Sequence, residues 1–364
     1  MSELTENCRS LTKYHFDEEH ADDIVKTLAY HPRDYRFYSI NINDEELPPT
    51  REAIGTAFEL SKHAGKSNYL DKLPVELRVK VLLQLDFHSC FRFRQTSLRS
   101  RQFVDSLPEY QRVALHGAQL VYALYRTRLA TDISLSTIDN LLCTQNCAHC
   151  GKFGAFVSLL NQNRCCLSCL QTKWKAQLYD LSTLQGYFKV TSKDVRKMMK
   201  IDNLEGIYGV PQMGFPAGHK TLYSLHQASL SFERRSKQQK FKVGKPANYM
   251  GLCQLPFYYD KGSKKIEHGF LCAGCNANFH KKRGTRRIST NYDRCYTRDG
   301  FLRHFRWCVT AQRLWEESDG GNKPPRNGGS SASTGGALTL NEDSLTFITG
   351  DSLTINGGSF TVNY

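Results

Sequence analysis

Residues 70–110 read LDKLPVELRVKVLLQLDFHSCFRFRQTSLRSRQFVDSLPEY, and this stretch decides the fold of the front half. Pro74 suits the first turn of a helix, where a missing N–H leaves no hydrogen bond unmade. Leu73, Leu77, Val81, Leu82 and Leu85 then follow at helical spacing and form one apolar stripe. A break at 86–88 leads to Phe91 and Phe93, and a third segment carries Phe103, Val104 and Leu107. Three short helices of this size cannot bury all those apolar faces among themselves, and some of that surface is available to a partner.

Working outward, 67–142 reads as consecutive helices, with Pro108 as an internal boundary. Residues 1–66 are acidic and only loosely periodic. Residues 143–318 mix helical signals with strand-like pieces such as GLCQLPFYY at 251–259, and they close on one aromatic helix, GFLRHFRWCVTAQRLW. Beyond 319 the composition turns to Gly, Ser, Thr and Asn, the mark of a flexible polar tail, with LTL, LTF, LTI and FTV recurring as a weak repeat. With 364 residues, 40% apolar and 23% charged, the chain has the make-up of a globular protein of two or three domains.

Charge is uneven. Residues 1–69 hold 13 acidic and eight basic side chains, whereas the rest of the chain holds 41 basic and 22 acidic. A basic body suits nucleic acid, an anionic membrane surface or an acidic partner, and charge alone does not choose among them. The start MSELTENCRS lacks a secretory apolar stretch, and no run reaches the roughly 18 apolar residues of a membrane span. A soluble protein of the cytoplasm, the nucleus or both is expected. In that reducing setting 13 Cys at short spacings point to metal rather than to disulfides.

Two constellations carry that reading. Cys147-x2-Cys150 is followed by Cys166-x2-Cys169, two knuckles whose four thiolates suit the corners of a tetrahedron around Zn2+. Cys143 and Cys165 stand beside them, and Cys165 is the alternative to Cys166. Downstream, Cys272-x2-Cys275 precedes His304-x3-Cys308, whose spacing puts the last pair on one helix face about one turn apart. His280 and Cys295 are rival ligands there. One or two structural Zn2+ ions are expected.

The pattern LPVELRVKVLLQLD, followed by FRFRQTSLRSRQFVDS, resembles an F-box, with its Leu-Pro, its Glu-Leu, and its closing Arg-Gln-Thr-Ser and Phe-Val-Asp. That resemblance implies docking on the small linker subunit of an SCF-type cullin ubiquitin ligase, with Leu73, Pro74, Leu77, Leu82 and Leu85 against the linker. Cys90 departs from the larger aliphatic residue usual in the family. The clusters CAHCGKFGAFVSLL…RCCLSCL and LCAGC…YTRDGFLRHFRWCVTAQRLW are similar to those of fungal F-box proteins that carry cysteines after the box, and the likeness covers 67–318. It implies a non-catalytic adaptor that presents an unknown protein substrate.

The alternative is a basic zinc-binding protein associated with nucleic acid in the nucleus. KKRGTRR at 281–287 and RRSKQQKFKVGK at 234–245 favour it, although solvated loops account for such runs better, and KKRGTRR also reads as a nuclear localisation signal. No compact finger, RRM or KH signature accompanies them. Catalytic motifs of the HExxH, GxSxG and Walker types are absent, and GFPAGHKT at 214–221 lacks the spacing of a phosphate loop.

The expected fold is therefore α+β. An acidic extension (1–66) precedes a mainly helical region (67–142) carrying the three-helix box, then a zinc-stapled mixed region (143–318) and a flexible tail (319–364). The cysteine-rich stretch has few apolar residues, so metal removal is expected to melt the region after 143 and to spare the box.

Overall fold

Short helices fill the front of the chain because capping residues recur every ten or so positions. A computed structural model describes residues 12–31, 38–42, 44–55, 72–210, 213–235, 241–243, 246–281 and 293–323, all within one compact unit. The KKRGTRR run beyond Lys281, residues 236–240 and 244–245 of the other basic run, and the LTL-type repeat lie outside the described residues.

The chain opens with α1 (Ala21–Leu28), β1 (Ala29–Tyr30) and α2 (Leu47–Gly55). Six helices then follow in close succession: α3 (Val75–Gln84), α4 (Phe87–Arg94), α5 (Leu98–Asp105), α6 (Pro108–His116), α7 (Ala118–Arg126) and α8 (Leu135–Cys143). Asp86, Ser97 and Ser134 cap α4, α5 and α8, each accepting a backbone N–H in the first turn. Pro108 occupies the first turn of α6, so the expected boundary is a helix start.

Small antiparallel sheets make up the back half. The hairpin β2 (Phe156–Ser158) and β3 (Asn163–Cys165) leads into α9 (Leu167–Thr172). Next come β4 (Leu178–Asp180), α10 (Leu181–Phe188), β5 (Lys200–Asp202), the hairpin β6 (Gly206–Val210) and β7 (Met213–Ala217), β8 (Thr221–Ser224) and α11 (Leu225–Ser231). The stretch read as strand-like supplies β9 (Leu252–Gln254) and β10 (Phe257–Asp260). These are followed by β11 (Lys265–His268), β12 (Leu271–Cys272), α12 (Ala273–Lys281), α13 (Arg298–Phe305) and α14 (Val309–Glu317). Strand order is β3-β2-β9 in one three-stranded sheet and β4-β8-β5 in the other. The α+β arrangement thus holds, helices first and small sheets after.

One apolar core runs through both halves. Leu82, Phe87, Cys90, Val104, Leu107 and Tyr110 from the helices share it with Phe153, Phe156, Leu159 and Leu160 of the cysteine-rich stretch. The boundary expected at 142/143 falls inside this core. Residues 38–55 also join it through Tyr38, Ile40 and Ile54, with the Tyr110 hydroxyl donating to the Ile54 carbonyl at 2.9 Å.

Arg164 on β3 holds the centre of this arrangement. Its side chain is fully enclosed, and all five N–H donors of the guanidinium are used. Nε donates to Leu141 O at 2.8 Å, Nη1 to Gly154 O and Leu255 O at 3.0 and 2.6 Å, and Nη2 to Leu142 O and Phe257 O at 3.4 and 2.7 Å. Burial pulls its pKa down to about 9, which still leaves it cationic at neutral pH. One side chain therefore joins the end of α8, the loop before β2, and the β9–β10 connection with the start of β10.

Arg164→Met is expected to lower stability by about 3–5 kcal/mol, because five buried carbonyls lose their donors. Typical domain stabilities are about 5–15 kcal/mol, so denaturant unfolding resolves this readily. A midpoint equal to that of the wild type would show that the node is dispensable.

Candidate metal centres and docking face

The first knuckle is a tight turn between Cys147 and Lys152. Gly151 takes φ +69°, a conformation that favours glycine, and its N–H donates to Cys147 O at 2.9 Å. The second knuckle lies at the entry to α9, with Cys166 as its N-cap and Cys169 one turn in. Cys147, Cys150, Cys166 and Cys169 come together with all four sulfurs within 4.8 Å of one another, and the Cys150 and Cys166 sulfurs 3.6 Å apart. Between the two neighbours left open by the sequence, Cys166 joins the cluster. Cys165 is buried in the main core and its thiol donates to Asn163 Oδ1 at 3.2 Å. Cys143 points its thiol at Asp139 Oδ1, 3.6 Å away.

Such crowding sets the thiols against one another. Hydrogen bonds from the Cys165 and Cys166 thiols hold Cys147 far below the ordinary thiol value. The hydrogen bond to Cys147 pushes Cys166 far above that value, and burial pushes Cys169 up to about 12. Four thiolates at these distances coexist only around a cation, and a divalent ion with four sulfur ligands meets that need.

Cys272, Cys275, His304 and Cys308 form the second group, again with all ligand atoms within 4.8 Å. Cys275 Sγ lies 3.3 Å from His304 Nε2 and 3.9 Å from Cys308 Sγ, and Cys272 Sγ lies 4.0 Å from Cys308 Sγ. The three cysteines are buried. Here too one thiol, Cys308, is pulled far down, by hydrogen bonds from Cys272 and Cys275. Cys295 belongs to the main core and is not in this group. The side chain of His280 lies outside the described residues.

The geometry around His304 and Cys308 corrects the expected single helix. The chain breaks after Phe305, so His304 sits in the last turn of α13 while Cys308 is the N-cap of α14. Gln312 stabilises the break by donating its side-chain amide to Phe305 O at 2.9 Å, a carbonyl at the end of α13 that also accepts the Cys308 N–H at 3.1 Å. Gly274 permits α12 to approach α14: a Cβ there would lie 2.4 Å from the Ala311 nitrogen. His304 stacks on Tyr296 with ring centroids 4.7 Å apart.

Apolar residues of the acidic N-terminal stretch cover this second group, a role the sequence did not reveal. Ile24 and Leu28 of α1 are fully buried against Phe301, Phe305 and Trp315. Tyr14 and Phe16 meet the Phe305 ring edge-on at 5.4 and 5.7 Å. β1 pairs with β12 so that Ala29 faces Cys272. Asp22 and Glu18 reach Arg298 and Arg306 at 2.5 and 3.7 Å, exposed pairs that contribute about 0–1 kcal/mol each.

On the helical side, α3 leaves Val75, Leu77 and Val81 between 44% and 49% exposed. Leu77 and Val81 are four residues apart and share a face. Pro74 is exposed beside them, and Leu73 and Leu85 are half-buried. Leu82, expected on the same face, is 2% exposed. It lies five residues from Leu77, about 140° around the helix, and packs into the main core. Cys90 is likewise enclosed in that core, and burial raises its pKa to about 12.

No match was found among curated proteins or among solved structures. The family model of the F-box domain matches residues 70–112, the segment that forms α3, α4, α5 and the first half of α6, so this chain carries an F-box.

Proposed function

We propose that the protein is a non-catalytic adaptor of an SCF-type cullin ubiquitin ligase. Its box docks on the linker subunit, and its metal-held body presents a protein substrate. F-box domains generally bind that linker and, through it, the cullin, and they serve as substrate-recognition adaptors. The observation that carries the reading is the exposed apolar face of α3 within the matched segment. Val75, Leu77 and Val81 stay uncovered although neighbouring helices bury the opposite side of the same helix. Pro74 and Leu77 are the exposed members of the anticipated docking set, Leu73 and Leu85 border them, and Leu82 supports the face from beneath.

The two ligand groups fit Zn2+: four thiolates in one, three thiolates and an imidazole in the other. With four protein ligands each, neither leaves an open position for a reacting water, which makes both sites structural. Among the described residues no helix is long and apolar enough to cross a membrane.

Leu77→Ala combined with Val81→Ala is expected to weaken binding to the purified linker subunit by about 2–4 kcal/mol, the scale of interface anchors. Because both side chains are exposed, the fold should be kept. Leu82→Ala should instead cost about 2–5 kcal/mol of stability. Calorimetric titration showing wild-type affinity for the double variant would refute the docking face.

Elemental analysis of the purified chain is expected to find two zinc ions per molecule. Replacing Cys150 and Cys166 by Ser should remove one, and replacing Cys275 and Cys308 should remove the other. A content near zero in wild-type protein would exclude both sites.

A further inference from the structure

The lobe built from α10, α11 and the β4-β8-β5 sheet has its own small core and an unusual surface. Tyr179, Leu184, Phe188, Val195, Tyr223 and Leu225 are buried together, apart from the main core. Residues 171–243 hold 13 Lys and Arg against five Asp and Glu. Eleven of those basic residues are described, and all are exposed. Of these eleven, only Arg235 has a carboxylate within 4.0 Å among the described residues, namely Asp194 at 2.9 Å.

Contacts tie together several of the segments that carry these charges. Lys173 and Lys175 flank Trp174, whose ring packs tilted against Phe241 with centroids 5.2 Å apart. Phe241 packs in turn on Tyr187 at 5.3 Å, and the Lys242 N–H donates to the Tyr187 hydroxyl at 3.2 Å. The Arg235–Asp194 pair then ties the segment after α11 to the turn that carries Lys193, Arg196 and Lys197. A surplus of exposed cations with so few acidic residues nearby raises the local potential, so an anionic partner is favoured.

We infer that this lobe is the substrate-recruiting face and takes an Asp/Glu-rich polypeptide segment. The inference rests on the adaptor reading for its role and on charge complementarity for its chemistry. Eight of the eleven exposed cations are lysines, point charges spread over the surface, and one of the three arginines is already held by Asp194. That pattern suits dispersed carboxylates; a phosphate group is better gripped by clustered, free guanidinium forks. Bases of single-stranded nucleic acid need open aromatic faces. The rings here are instead engaged with one another: Trp174 and Tyr187 with Phe241, and Phe188 with Phe232.

The test uses the full chain, alone and with its linker, and a fluorescein-labelled peptide of Asp and Glu spaced by Gly and Ser. Three further labelled probes are compared with it: the Asn/Gln counterpart, a phosphoserine version of that counterpart, and a DNA duplex. The acidic peptide should bind best and weaken as salt rises. Lys173→Glu with Lys175→Glu, and separately Arg196→Glu with Lys197→Glu, should each weaken it by about tenfold. Lys264→Glu with Lys265→Glu, on the β10–β11 hairpin, should have far less effect. No binding of the acidic peptide, equal loss in the control, or preference for the phosphopeptide or DNA would overturn the assignment. Linker pull-down with the same variants keeps the two readings apart. Peptide binding without linker binding would sink the adaptor role alone, and linker binding without peptide binding would sink this surface alone.

Discussion

The Arg164 guanidinium is the interaction on which the centre of this protein depends. It stands on β3, one residue before Cys165 and two before the candidate ligand Cys166, and it binds carbonyls from three separate stretches of chain. A buried cation costs several kcal/mol unless every donor is matched, and here every donor is matched. The same bonds fix where the end of α8 meets the two knuckles. The charge on Arg164 thus positions the first cysteine cluster relative to the helices that carry the box.

The two candidate metal groups each sit in apolar packing of their own. Around the first group of thiols lie Phe153, Phe156 and Leu160, which belong to the same core as Phe87 and Tyr110 of the box segment. Around the second group lies a smaller core that includes α1, so residues distant in sequence close over it. The continuous main core changes the expectation that metal loss would leave the box untouched. The box helices α3 and α6 pack on α8, whose Leu141 and Leu142 belong to the same core as the cysteine-rich stretch, so metal loss is expected to reach the box through α8.

Legibility in the sequence followed the distance over which each interaction acts. The knuckles were readable because two residues between cysteines leave little choice of geometry, and the stripe on α3 because its period is local. The His304–Cys308 pair was found as a ligand pair but assigned to an unbroken helix, since the Gln312 cap on Phe305 O depends on the tertiary turn. Leu82 was placed on the docking face because a stripe read from spacing does not show which edge meets the core. Residues 12–30 and Arg164 stayed hidden for a related reason. An acidic helix and an arginine look solvated until partners from far along the chain supply Phe301, Phe305 and five carbonyls.

The claim that box and metal-held body share one core is tested most directly by hydrogen exchange across the whole chain before and after chelation. Structural zinc sites supply roughly 10–16 kcal/mol of apparent binding free energy at neutral pH, enough to govern a core they are built into. Loss of metal should raise exchange in 147–170 and, with it, in α8 and in α4 and α6 of the box. Unchanged protection in α4 and α6 after verified metal loss would contradict the account and make the box an independent unit.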